Sequence, residues 1–235
     1  VISIELYQPN AVNDTIDYPS TWAELSLEEM KVIAAGYFGT ALGRAELLLA
    51  ILAHRLGTER VHLLPMLSIE DLSIEYMSLT EFITDRIDRT QPLALEKFYT
   101  PLPDFEEITV GEYEEADIAL SQYISEGKVE YLVDFFKTYY RVAKSSNDQL
   151  PDIATMQACA LCFIGCKSFL PKAFPLVFGS DSQGKQAQPD LLALTKLIHS
   201  GAGPRNGTRD NIRRMPLKEF LFDCQLEAEK APDVF

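Results

Sequence analysis

Three thiols stand where they could hold a metal. Cys159, Cys162 and Cys166 form C-x2-C-x3-C, a spacing at which thiolates can bind an iron–sulfur cluster or contribute to a zinc site. Their surroundings favour another use. The three positions share one face of a helix, and their neighbours Ala158, Ala160, Leu161, Phe163 and Ile164 are apolar. Cysteine outside disulfides is among the most buried residue types. The fourth, Cys224, falls on a different predicted helix with no histidine near it in sequence, and the set does not resemble an extracellular disulfide framework. The expectation is a packed stripe, with no metal and no cofactor.

Other chemistry-bearing residues are no more directive. His54, His62 and His199 lie in no H-E-x-x-H or H-x-E spacing. His54 sits late in a predicted helix, where a cation near the last carbonyls is favourable, so a structural role is expected for it. The stretch GAGPRNG at 201–207 could cradle a phosphate, since glycines permit close backbone approach and Arg205 and Arg209 could fork onto its oxygens. It lacks G-K-[ST], however, and follows a predicted helix rather than a strand. With no G-x-S-x-G, kinase set or zinc-hydrolase motif, no catalytic residue is assigned. An enzyme built from groups distant in sequence remains an alternative.

Charge is the stronger signal. Against 35 Asp and Glu stand 21 Lys and Arg, a formal net charge of -14, which argues against a protein that holds phosphate backbones. On this acidic chain Arg205, Arg209, Arg213 and Arg214 cluster within ten residues, placed either to dock onto an acidic partner or to pair with the protein's own carboxylates. Conversely, Asp104, Glu106, Glu107, Glu112, Glu114, Glu115, Asp117 and Glu126 occur with no Lys or Arg among them. Such a face could meet a basic partner or the arginine segment of a neighbouring copy. A solvated helix surface with acids near its N-terminus is the plainer reading.

The elements that must position these groups are mostly helical. A chain of 235 residues, 47% hydrophobic, can bury a substantial core without staples and falls between one large domain and two small ones. Alternation of Ile2, Ile4 and Leu6 with Ser3, Glu5 and Tyr7 predicts a strand. Ser26-Leu27-Glu28-Glu29 reads as a capping box opening a helix over 27–38. Residues 41–56, apolar on nearly all sides and closed by Gly57, read as a central buried helix, with strands over 61–67 and 72–79 and a short helix over 79–87 to follow. Pro92, Pro101 and Pro103 interrupt regular structure, so 91–104 is the expected connection between an α+β part, 1–90, and a helical part, 105–235, unless the two form one continuous domain.

Beyond it, Thr109 and Glu112 form a second capping box for a helix to 124, and Gly127 separates this from a helix over 129–142. Pro151 suits the first turn of a helix to 167, and Pro216 that of the last helix, whose apolar face is Leu217, Phe220, Leu221, Cys224 and Leu226. Another helix is expected over 191–198, after a polar loop at 179–189. The fold class is α+β, predominantly α-helical with a small N-terminal β contribution. Residues 158–178 are long enough to span a bilayer, but Lys167 and Lys172 would each cost about 2.5 to 3.5 kcal/mol there, so no membrane span is expected. The opening residues carry no basic stretch followed by an apolar one, which sets the expectation of an intracellular protein.

Three segments together resemble small, mostly helical proteins encoded among the virion and tail-assembly genes of tailed bacteriophages. They are PSTWAELSLEEM at 19–30, ITVGEYEEAD at 108–117 followed by VEYLVDFFKTYYR, and the closing RRMPLKEFLFDCQLEAEK. An aromatic lead-in to a helix, a T-x-G-E-[YF] helix start and a final M-P-L helix recur in such proteins. The resemblance implies a non-enzymatic role: a tail-assembly chaperone or accessory assembly factor in the cytoplasm of the host bacterium, or a structural subunit of the tail, neck or baseplate. Its partners would be tail or other virion proteins, or further copies of itself, met through Arg205, Arg209, Arg213 and Arg214.

Overall fold

The computed structural model describes residues 2–6, 14–39, 44–60, 81–84, 87, 91–142, 150–178, 197 and 208–230. They fall into two units, Val1–Arg89 and Thr90–Phe235. The predominantly helical fold with a small N-terminal β contribution is as the sequence predicts. The expected strands over 61–67 and 72–79, the helix over 191–198 and the loops at 179–189 and 201–207 lie outside the described residues, apart from Leu197.

In the first unit, β1 (Ile2–Leu6) pairs antiparallel with β2 (Asp14–Tyr18), with Ile4 opposite Ile16. The capping box at Ser26 closes in both directions: the Glu29 amide donates to Ser26 Oγ at 3.2 Å, and the Ser26 amide donates to Glu29 Oε2 at 2.7 Å. This starts α1 (Leu27–Phe38) where the sequence predicts it. The next helix, α2 (Arg44–Arg60), breaks its helical path at Gly57, whose φ of 70° is strained for any side chain-bearing residue. Expected to be buried all round, α2 is instead one-sided. Leu47, Leu48, Ile51, Leu52 and Leu56 face the core, while Glu46 and His54 are exposed. A short α3 (Glu81–Thr84) presents the Phe82 carbonyl to the indole N–H of Trp22 at 2.6 Å, a donor that needs a partner once its ring is buried.

The second unit takes in the proline-rich segment. Residues 91–104, expected to connect two parts, are packed within it: Leu93 is buried and its carbonyl accepts from the Tyr140 hydroxyl at 3.1 Å, while the Phe98 ring meets Phe136 edge-on at 5.2 Å. The Thr109 capping box opens α4 (Val110–Glu126), and Gly127 ends it in the left-handed conformation at φ 69°. Its successor α5 (Val129–Tyr139) folds back on it. The central helix is α6 (Ile153–Ala173). Asp152 caps it by accepting from the Thr155 amide at 2.7 Å, so Pro151 stands just ahead of the cap rather than inside the first turn. The helix also runs past 167, through Pro171, before α7 (Pro175–Phe178). By length and composition α6 could cross a membrane, yet eleven of its residues are buried within the unit. Phe163 lies among the rings of Phe105, Tyr113, Phe135 and Tyr139, with centroids 5.0 to 5.5 Å away. Each such aromatic contact adds about 0.5–1.5 kcal/mol to simple burial.

Two C-terminal helices close the unit. Ahead of α9 (Leu217–Lys230), α8 (Arg209–Arg214) ends at Met215, and Pro216 pairs with Thr109 in a bridge: the Val110 amide donates to Met215 O and the Leu217 amide to Ile108 O, each at 2.9 Å. Pro216 thus precedes the last helix instead of sitting in its first turn. Of the expected apolar face, Leu217, Phe220, Leu221 and Cys224 are buried, and Leu226 is half-buried.

Candidate functional site

The arginine segment meets the acidic run inside one chain. Arg209 Nη2 donates to Glu114 Oε1 at 3.0 Å, and Arg213 Nη2 donates to Glu115 Oε1 at 2.9 Å. Arg213 Nε also stands 3.1 Å from Glu114 Oε2 as an ion pair. Of the two uses weighed for these arginines, the protein's own carboxylates take Arg209 and Arg213. Arg214 is exposed, and Arg205 lies outside the described residues.

The solvated acidic face expected for 104–126 holds only in part. Glu115 and Glu126 are exposed, but Glu114 is 3% and Asp117 5% exposed. A buried carboxylate needs a partner. Glu114 has the two arginines, and Asp117 Oδ1 has Lys167 Nζ at 2.6 Å. Burial still pushes the Asp117 carboxyl above its ordinary range, against the pull of Lys167.

A second group is one that the sequence does not suggest. The segment leading into α4 and the end of α5 form a shallow, open depression lined by Tyr99, Pro101, Leu102, Glu107, Glu112 and Arg141 among others. Arg141 holds it together. Its guanidinium lies 4.9 Å over the Tyr99 ring, donates to the Glu107 carbonyl at 2.6 Å and pairs with Glu112 Oε1 at 3.2 Å. The Tyr99 hydroxyl donates to Glu107 Oε2 at 2.5 Å, a bond that pushes the phenol above its ordinary pKa. Tyr99 and Leu102 remain 38% and 37% exposed.

The backbone here is unusual. Asp104, Phe105 and Arg141 have φ of 55°, 60° and 49°, and they are the non-glycine residues in the left-handed region among those described. For a bulky Phe this conformation is costly, and such strain concentrates at sites where a particular geometry is needed. Tyr99 and Arg141 are far apart in sequence, and a lone arginine after an aromatic helix is ordinary, so no local pattern marks the pair.

Of the remaining sequence candidates, the three cysteines of α6 are core residues. Cys159, Cys162 and Cys166 are fully buried thiols facing Tyr139 and Tyr140, and burial pushes Cys166 up to about 11. A reactive thiol needs the opposite shift. Among the described residues no group of three or more His, Cys, Asp or Glu is arranged to hold a metal ion. His54 lies on the surface of the first unit with Nε2 3.3 Å from Ser26 Oγ; His62 and His199 are outside the described residues. No protein-family model, curated protein or solved structure matches the chain.

Proposed function

We propose that this chain works by protein–protein contact rather than by catalysis, as an assembly factor of a tailed bacteriophage such as a tail-assembly chaperone in the host cytoplasm. The observation that carries the contact reading is the patch formed by Tyr99, Leu102 and Arg141. Aromatic and arginine side chains dominate the energetics of protein interfaces, because they present large area and directed polar groups at little entropic cost. Here a tyrosine ring and a leucine remain exposed beside a concave surface, and the guanidinium is already ordered on the ring. Such preorganisation lowers the cost of binding. The phage setting rests on the resemblance of 19–30, 108–117, 129–141 and 213–230.

The docking role expected for Arg205, Arg209, Arg213 and Arg214 is narrowed accordingly. Arg209 and Arg213 are engaged with Glu114 and Glu115, which among the described residues leaves Arg214 and the cleft as the more available surface. The test is mass spectrometry of finished, purified particles beside a pull-down of the tagged protein from the lysate of the same producing cells. Recovery of a tail protein with absence from the particle supports the assembly factor. A fixed copy number in the particle instead assigns a structural subunit of tail, neck or baseplate. Absence from both returns the enzyme reading.

A further inference from the structure

We infer that the Tyr99 cleft receives a lysine or arginine side chain from a basic segment of its partner protein. The inference rests on the reading that the chain works by protein contact, and it names the chemistry of the partner. Two features of the cleft point the same way. Tyr99 and Leu102, each more than a third exposed, supply apolar surface along which a long aliphatic stem can lie. Glu107 and Glu112 line the same depression, with the exposed Glu106 and the half-buried Asp104 near them in the chain.

Among the described residues the cation that lines the cleft is Arg141, which is committed to Glu112 and the Glu107 carbonyl. It neutralises one carboxylate and leaves the site acidic. Glu107 spends one oxygen as acceptor from Tyr99 and has lone pairs left for a second donor. A cationic head placed there would also lie near the Tyr99 ring, already a seat for a guanidinium. A second copy of this chain is a poor occupant, because each copy carries a net charge of -14 and Arg209 and Arg213 are engaged internally.

The test uses the full chain and two amidated ten-residue peptides, one alternating Lys and Leu, the other Glu and Leu. Backbone amide shifts are mapped by NMR at low and high salt. The Lys-Leu peptide is expected to shift Tyr99, Leu102 and Arg141 first, while the Glu-Leu peptide leaves them in place. Glu107→Gln, at an exposed position, should weaken binding about threefold, the size of one partly screened charge pair. Tyr99→Ala should weaken it further. Saturable binding that maps elsewhere and ignores both substitutions would overturn the inference, as would no binding at all. A pull-down from producing cells separates the two levels. If Glu107→Gln recovers the same partner as the unaltered chain in the same amount, the cleft loses its role while the contact reading stands; if the unaltered chain recovers no partner, the contact reading itself fails.

Discussion

Gly111 lies against the backbone of Arg213: a Cβ built at position 111 would stand 3.0 Å from the Arg213 carbonyl oxygen and 3.2 Å from its Cβ. The first turn of α4 therefore approaches α8 more closely than a side chain at residue 111 comfortably allows. Two effects compete on substitution. Alanine gains about 1 kcal/mol of helix propensity over glycine, and the contact takes part or all of it back. Gly111→Ala is expected to change stability by less than about 1 kcal/mol, whereas Gly111→Val, which overfills the contact, should cost about 1–3 kcal/mol. Urea denaturation followed by far-UV circular dichroism measures both, and a neutral valine would show that α8 moves freely away.

Charge reversal separates the paired arginine from the exposed one. Arg213→Glu brings a third carboxylate to Glu114 and Glu115 and removes a cation from a nearly buried anion. Arg209 still covers Glu114, so a loss of about 2 kcal/mol is expected rather than the full penalty of an unpaired buried charge. Arg214→Glu, at an exposed position, should stay within about 0.5 kcal/mol of the unaltered chain. Equal losses at the two sites would contradict the pairing of Arg213 with Glu114 and Glu115. Reversing Arg213 is thus a test of the fold, and only the reversal at Arg214 reads binding cleanly.

Local signals in the sequence located the helices well. Both capping boxes, Ser26 with Glu29 and Thr109 with Glu112, form as their spacing predicts, because cap and N3 residue satisfy each other's amides within one turn. Gly127 ends α4 for the same local reason. What the sequence could not show is long-range. The acidic run and the arginine cluster were each visible, but that Arg209 meets Glu114 depends on how the last helices pack. Burial of Asp117 was hidden too, since its partner Lys167 lies fifty positions away on another helix. The Tyr99 cleft needs residues from two stretches, 99–112 and 138–141, and a backbone conformation at Phe105 that no propensity favours.

Asp117 and Lys167 make a pair whose removal in parts and whole should differ. Both side chains are largely buried, and burial holds the Asp117 carboxyl above its ordinary range. Lys167→Met strands the carboxylate and should cost about 3 kcal/mol at neutral pH. Adding Asp117→Leu to it should restore most of that loss, because an apolar pair avoids the desolvation of both ions. The sign with pH follows from the raised value: the folded state holds the Asp117 proton more tightly than the unfolded chain, so this group's contribution weakens as pH rises through the raised pKa. Thermal melts of the single and double variants at pH 4 and 7 decide it, and a double variant as unstable as Lys167→Met would show that the pair contributes more than its own desolvation costs.

Cysteine reactivity tests the core stripe directly. All four cysteines are buried, and burial raises both Cys166 and Cys224 to about 11. Thiolate is the reactive form, so at pH 8 a native chain should present almost none of it to a disulfide reagent. The expected titration with such a reagent is no fast thiol in the native protein and four in urea. One fast native thiol would mean that α6 or α9 opens locally at low cost.

Glu29 and Arg55 give the first unit an acid limit that its single tryptophan can report. Glu29 is fully buried; burial by itself raises its carboxyl, but the Arg55 fork and the Ser26 amide and hydroxyl outweigh it and hold the net value below the ordinary 4.5. One arm of that fork is Arg55 Nη2 to Oε2 at 2.9 Å, the other Nε to Oε1, and Nη2 also donates to the Glu24 carbonyl at 3.0 Å. Because the folded value is depressed, the pair's contribution is fully present above pH 4.5 and is lost as pH falls through the depressed value. Arg55→Met reverses the balance. Burial then dominates, the Glu29 carboxyl rises above its ordinary value, and the variant should be less stable by about 3 kcal/mol at pH 7. The same carboxyl becomes neutral on acidification, so the gap between the two proteins should narrow by pH 4. Trp22 lies in this unit with its indole bonded to Phe82, so urea denaturation followed by its fluorescence measures the gap at each pH. A gap that stays constant from pH 7 to pH 4 would mean that Glu29 is not held as an anion by Arg55.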